Sequence, residues 1–126
     1  MCGKNSFPNQ GDIIWIDAEP HAGKEYGGHN DQNFRRPMLV ISGKIYNENT
    51  GMIVGFPITS SKIPGNFPSG LKIKIEDQSI HGYAILGNLL GYDFQGQHGK
   101  IVGKINNSAK RQALQAIKNI FDILIE

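Results

Sequence analysis

Apolar and polar positions form short β-like blocks along most of this chain and change to a helical period near its end. The run Asp12-Ile13-Ile14-Trp15-Ile16-Asp17, bounded by Gly11 and Glu19-Pro20, predicts a strand. Residues 37–42 (Pro-Met-Leu-Val-Ile-Ser) are almost continuously apolar, as in a strand buried on both faces. Proline is tolerated at its start, where no ladder N–H is needed. Residues 44–50 predict a single short helical turn. Residues 52–59 predict another buried strand, with Pro57 implying an edge position or a bulge near its end. Leu71-Lys72-Ile73-Lys74-Ile75 alternates strictly, so its isoleucines face a core and its lysines face water. Residues 83–86 and 89–92 predict two further strands with a bend at Gly87.

The last segment obeys a different period. Ala109, Ala113, Ile117, Ile120 and Leu124 recur at helical spacing, with Leu114 and Phe121 on the same side. This predicts an amphipathic helix over 108–125, capped by Asn107 or Ser108 through a side-chain oxygen that accepts a first-turn N–H. Many short strands followed by one helix predict a mainly β fold: a strongly bent antiparallel sheet or open barrel plugged by a C-terminal helix. Two stretches fall outside this pattern. Residues 21–36, rich in Gly, Asn and His, read as a loop that is long for so small a protein, and long ordered loops often carry function. Residues 60–70 form a second loop, punctuated by Pro64, Gly65, Pro68 and Gly70.

Composition narrows the possibilities without deciding them. A length of 126 residues fits one domain spanning 1–126, and 39% apolar content argues against disorder. The lone cysteine, Cys2, has no internal disulfide partner, which points to a reducing, cytoplasmic compartment. No apolar run approaches the roughly 20 residues that span a membrane, and the N-terminal segment has no apolar signal region. A net charge of +2 is too mild to diagnose nucleic-acid binding. Lys100, Lys104, Lys110, Arg111 and Lys118 occur without an intervening acid, and read first as a solvated basic face.

Taken in order, these segments resemble the MazF/PemK family of type II toxins. Residues 11–17 resemble its first strand, and Ala22-Gly23-Lys24-Glu25 followed by a Gly-rich stretch resembles its first loop. Arg36-Pro37 leading into Leu39-Val40-Ile41-Ser42 resembles its Arg-Pro signature. Tyr46-Asn47, Thr50-Gly51-Met52 and Pro57-Ile58-Thr59 fit the following segments. Asn66-Phe67, Gly70, His81-Gly82-Tyr83-Ala84 and Asn88 resemble the ChpB and Kid branch. No one of these motifs is specific; their order and spacing from Gly11 to Ile125 carry the resemblance. It implies an SH3-like small barrel with a C-terminal helix, a homodimer, an endoribonuclease cutting single-stranded RNA, and a cognate antitoxin protein as partner.

The chemistry asked of such residues is definite. RNA supplies its own nucleophile, the 2′-OH. The protein must align it with the leaving 5′-oxygen, move protons and stabilise negative charge on phosphorus. The sequence holds no HExxH, no Cys-rich metal set and no clustered acidic pair, so neither a metal nor another cofactor is expected. Arg36 is the first candidate, because a guanidinium is permanently charged and forks onto two phosphate oxygens. Arg35 alternates to the other side and is expected to be structural or a weaker RNA contact. Thr59 offers a hydroxyl donor at a strand end, with Ser60 and Ser61 after it. Glu25 offers a carboxylate to accept the 2′-OH proton. Lys24, His29, Asn66, Trp15 and Phe67 are expected to touch substrate, the two aromatics by stacking on bases. His21, His29, His81 and His98 are acid–base candidates by residue type but read individually as surface residues.

One departure matters. Where Kid-like relatives carry an Arg and an Asp two residues apart, this chain has Ile85 and Gly87. The resemblance then implies reliance on Arg36, Thr59 and Glu25, or a weakened enzyme. A CcdB-like protein that poisons a topoisomerase by binding alone is the rival reading.

Overall fold

The structure is a computed structural model that describes residues 6–18, 35–60, 67–77 and 80–123. Among the described residues, seven strands and two α-helices follow in the order β1 (Asp12–Asp17), β2 (Arg35–Val40), α1 (Lys44–Thr50), β3 (Met52–Thr59), β4 (Lys72–Asp77), β5 (Ile80–Ile85), β6 (Leu90–Asp93), β7 (Lys100–Lys104) and α2 (Asn107–Phe121). A short 3-10 turn, Ser69–Leu71, leads into β4. The sheet is antiparallel in the order β4-β5-β3-β2-β1-β7, with β6 also pairing with β3. It curls into a half-barrel with the C-terminal helix as its largest non-strand element, the mainly β architecture that the residue pattern predicts.

Two apolar clusters sandwich the central strands, which explains their unbroken hydrophobic runs. In β1, Ile13 packs into one cluster with Leu39, Phe56, Ile58, Ile73, Ile75, Ala84 and the helix residues Ala113 and Ala116, while half-buried Trp15 packs against it. Ile14 and Ile16 point the other way, into a second cluster with Met38, Val40, Ile53 and Phe94. The strand period of two thus serves both faces. Ile73 and Ile75 are buried while Lys74 is exposed, as strict alternation requires.

Three expectations need correction. Pro57 is neither at an edge nor in a bulge: it lies inside β3, paired with Met38 of β2. On its other side β3 exchanges neighbours there, pairing with β6 through Gly55 and with β5 from Ile58 onward. A missing N–H is tolerated at that switch because neither outer neighbour pairs with Pro57. The helix starts one residue earlier than predicted, with Asn106 as N-cap accepting from the Ala109 N–H at 2.8 Å. It stops at Phe121 because Asp122 takes a left-handed conformation (φ 54°) and the Ile123 N–H turns back to the Lys118 carbonyl. The far end of its apolar stripe is consequently uncovered, with Ile120 and Phe121 exposed. Strand β7 was not anticipated: Ile101-Val102 is too short an apolar pair, between Gly99 and Gly103, to predict a strand by pattern.

An internal polar group locks the α1 region. Asn47 is fully buried. Its amide donates to the Pro8 carbonyl at 2.9 Å and the Ser42 carbonyl at 3.3 Å, and its oxygen accepts from the Ser42 hydroxyl at 2.6 Å. Ser42 in turn accepts from the Val54 N–H at 2.9 Å.

Candidate active site

The strand registers bring four chain segments to one edge of the sheet. Ile16 pairs with Arg36 and Trp15 with Pro37, so the end of β1 meets the start of β2. Met38 pairs with Pro57, which runs the Arg36 end of β2 alongside the Thr59 end of β3. Thr59 pairs with Tyr83, which sets the start of β5 beside it. A cavity of about 620 Å³ opens at this junction, lined by Trp15, Arg35, Arg36, Pro37, Ile58, Thr59, Ser60, Ile80 and His81. That volume lies within the range of roughly 300–1,000 Å³ usual for ligand sites.

Arg36 is exposed and stands between two concavities. Its Nη1 donates to the Arg35 carbonyl at 3.2 Å. The second concavity, about 210 Å³, is mainly apolar, with Ile16, Pro37, Met38, Pro57, Leu90 and Tyr92 in its wall beside Arg36. Burial raises the Tyr92 phenol above its usual pKa, and the positive charge of Arg36 works against that rise. Tyr92 therefore meets Arg36 as a neutral hydroxyl at physiological pH.

Arg35 is held more tightly. Its Nη1 donates to Asp17 Oδ1 at 2.7 Å and its Nη2 to the His98 carbonyl at 3.0 Å. The other Asp17 oxygen meets His98 Nδ1 at 2.7 Å. Hydrogen bonds from His98 and then Arg35 hold the Asp17 carboxyl below the usual carboxylate range, against a smaller opposing effect of desolvation. The Gln97 side chain also donates to the Asp17 carbonyl at 2.8 Å. One carboxylate thus ties β1, β2 and the β6–β7 turn into a frame at the base of Arg36.

On the opposite wall, Gly82 lets β5 approach closely. A Cβ there would collide with the Thr59 carbonyl oxygen and press on Ser60 Cα. The neighbouring His81 reaches the cavity lining from this strand while remaining exposed.

Of the residues singled out in the sequence, Arg36, Thr59, Ser60 and Trp15 line the same cavity. Phe67 does not line it; its ring lies 6.0 Å from Lys72 Nζ, which also sits 5.3 Å from the Tyr83 ring. Glu25, Lys24, His29, Ser61 and Asn66 lie outside the described residues. Ile85 and Gly87 are absent from the cavity wall. Arg35, expected on the other side of its strand, shares the lining through its clamp on Asp17. His81, which reads in the sequence as a surface histidine, also lines this cavity. Its available signal was the next residue, since a glycine inside a strand marks a close backbone approach. Among the described residues, no group of three or more His, Cys, Asp or Glu side chains is placed to hold a metal ion. Among them, also, no helix is long and apolar enough to cross a membrane.

Comparison with known proteins agrees with this fold. The family described as PemK-like, MazF-like toxin of type II toxin-antitoxin system matches residues 9–121. The endoribonuclease toxin MazF of Escherichia coli (strain K12) is 42% identical over 53 residues, a match covering 42% of this chain and 42% of that protein. The endoribonuclease toxin ChpB of the same organism is 26% identical over 126 residues, covering 97% of this chain and 100% of that protein. A crystal structure of a MazE-MazF complex (Form-III) from Deinococcus radiodurans superposes with a TM-score of 0.70 at 16% identity, covering 93% of this chain and 98% of that chain.

Proposed function

The chain belongs to the family of PemK-like, MazF-like toxins of type II toxin–antitoxin systems, and from that premise we propose that it is an endoribonuclease cutting single-stranded RNA by internal 2′-OH attack, without a metal. The observation that carries this reading is the meeting of Arg36 and Thr59 in one cavity from strands distant in sequence. In it, Arg36 places a fixed positive charge where the phosphate oxygens gather charge in the transition state, and Thr59 and Ser60 offer hydroxyl donors to the same group. Asp17 and the backbone frame around Arg35 hold the strand end that presents Arg36, so that little reorganisation accompanies the reaction. Trp15, half-buried in the wall, provides a face for a base next to the cut. Glu25, from the first loop, accepts the 2′-OH proton.

The binding-only reading asks for an Arg36 without a concavity, whereas a 620 Å³ cavity adjoins it. A homodimer and a cognate antitoxin complete the proposal; the MazE-MazF complex from Deinococcus radiodurans, with the same fold, supports a protein partner of that kind. The proposed site of action is the cytoplasm.

The test is cleavage of a long unstructured RNA by purified protein in EDTA, with both new ends mapped. The expected products are a 5′-hydroxyl and a 2′,3′-cyclic or 3′-phosphate, and Arg36→Ala forms them about 10²–10³-fold more slowly. A 5′-phosphate product, or full activity in the Arg36 variant, contradicts the reading.

A further inference from the structure

We propose that His81 is the acid that protonates the leaving 5′-oxygen, an assignment that rests on the ribonuclease reading above. Three facts lead to it. First, His81 lines the cavity that holds Arg36 and Thr59, although 45 positions separate it from Arg36 in the chain. Second, among the described residues of that wall, the ionisable side chains are Arg35, Arg36 and His81. A guanidinium does not release its proton in a protein, whereas an imidazole changes charge between about pH 5 and 8. Proton delivery from the described wall therefore falls to His81. Third, the backbone places His81 firmly. Gly82, packed on the Thr59 carbonyl, closes β5 onto β3 immediately beside it, and its own strand pairs through the full length of β4.

The charged groups around the imidazole fit an acid. Glu76 of β4 is its cross-strand partner, and its carboxylate lies 3.4 Å from Lys74 Nζ. Arg35 and Arg36 of β2 line the same cavity as His81, and β3 contributes the neutral Thr59 and Ser60. Glu76 itself does not line the cavity. A phosphate seated on Arg36 adds a negative charge facing His81, which favours imidazolium in the substrate complex.

The step balances without any further reactant. The 2′-oxygen–phosphorus bond forms as the 2′-OH proton passes to the Glu25 carboxylate. The phosphorus–5′-oxygen bond breaks as an imidazolium N–H of His81 passes its proton to the departing oxygen. The products are a cyclic phosphate and a 5′-hydroxyl, with Glu25 protonated and His81 neutral, and exchange with water restores both.

A leaving group that needs no proton isolates this role. Wild type, His81→Gln, His81→Ala and Arg36→Ala are compared on two oligonucleotides carrying the mapped cleavage sequence, one natural and one with sulfur replacing the bridging 5′-oxygen at the cut. On the natural linkage both His81 variants lose about 10²–10⁴-fold in kcat with KM little changed, the usual contribution of a positioned acid, and their rate no longer falls on the alkaline side. On the sulfur linkage they cleave within a few fold of wild type, because a thiolate departs unprotonated. Arg36→Ala is impaired on both linkages. Equal losses on the two linkages, or wild-type rates and an unchanged pH profile in the His81 variants, overturn the assignment while leaving the ribonuclease reading intact. Absence of cleavage by the wild type on both linkages overturns both readings.

Discussion

Asp17 and Arg35 meet at 2.7 Å, and the second oxygen of the same carboxylate meets His98 at 2.7 Å. The pair stitches the end of β1 to the start of β2, the residue before Arg36. It also sets a pH dependence. The Asp17 carboxyl has a lower pKa in the folded chain than its ordinary value, first through His98 and then through Arg35. A carboxyl of that kind contributes stability above its unfolded pKa and loses it as the pH falls through the lowered folded value. Both side chains are about a third exposed, so solvent screening keeps the effect small. Asp17→Asn is expected to melt slightly below wild type at pH 7, and the gap should close as the pH drops below about 4. Thermal melts across that range check it; a gap independent of pH contradicts it.

The clamp also bears on catalysis. Freed from Asp17, Arg35 no longer fixes the strand end that presents its neighbour. Asp17→Asn is expected to reduce RNA cleavage by roughly tenfold, since small misplacements of a charge-stabilising group cost one or two orders of magnitude. Steady-state kinetics on the mapped site check this, with the loss expected in kcat.

Asn47 gives a prediction for stability alone. It is distant in role from the cavity, fully buried, and bonded to Pro8 and Ser42. Asn47→Ala leaves the Pro8 carbonyl without its donor, and is expected to cost about 1–3 kcal/mol. Denaturant unfolding measures this, and specific activity of the remaining folded protein should be unchanged.

Gly55 and Gly82 separate packing from site geometry. A Cβ at Gly55 runs into the Leu39 carbonyl between β3 and β2. One at Gly82 runs into the Thr59 carbonyl, at the cavity wall. Each alanine variant is expected to lose about 1–3 kcal/mol or more, as overpacking does. Only Gly82→Ala should also lower kcat in protein that remains folded, because it pushes His81 away from Thr59. Equal activity losses after correction for folded fraction would contradict that distinction.

Arg36→Lys tests the fork against the charge. A lysine keeps the charge and loses the two-point grip, so the expected activity lies between wild type and Arg36→Ala, with the latter down about 10²–10³-fold. A lysine variant as active as wild type shows that charge alone suffices.

Much of this was legible in the sequence because periodicity reports burial directly. Ile13 and Trp15 against Ile14 and Ile16 already display the two faces of β1, and Ala113, Leu114 and Ile117 mark the buried side of the helix. What pattern cannot supply is registry between distant segments. Nothing in the spacing of Arg36, Thr59 and His81 announces one cavity, because pairing of β2, β3 and β5 depends on contacts far apart in the chain. Pro57 misled for the same reason: a proline signals a missing donor, and only the sheet order reveals that two neighbouring strands share β3 at that point. Asn106 was missed as a cap because Asn106, Asn107 and Ser108 are all competent residues, and the choice among them follows from where β7 delivers the chain.

The central claim is attack by the RNA's own 2′-OH at a phosphate gripped by Arg36. It is tested most directly by a single 2′-deoxy substitution at the nucleotide preceding the mapped cut, in EDTA, with all other nucleotides left as RNA. The account predicts that this one change abolishes cleavage at that linkage while the unsubstituted oligonucleotide is cut to a cyclic or 3′-phosphate. Cleavage of the substituted linkage, or a requirement for magnesium with the natural one, would contradict it.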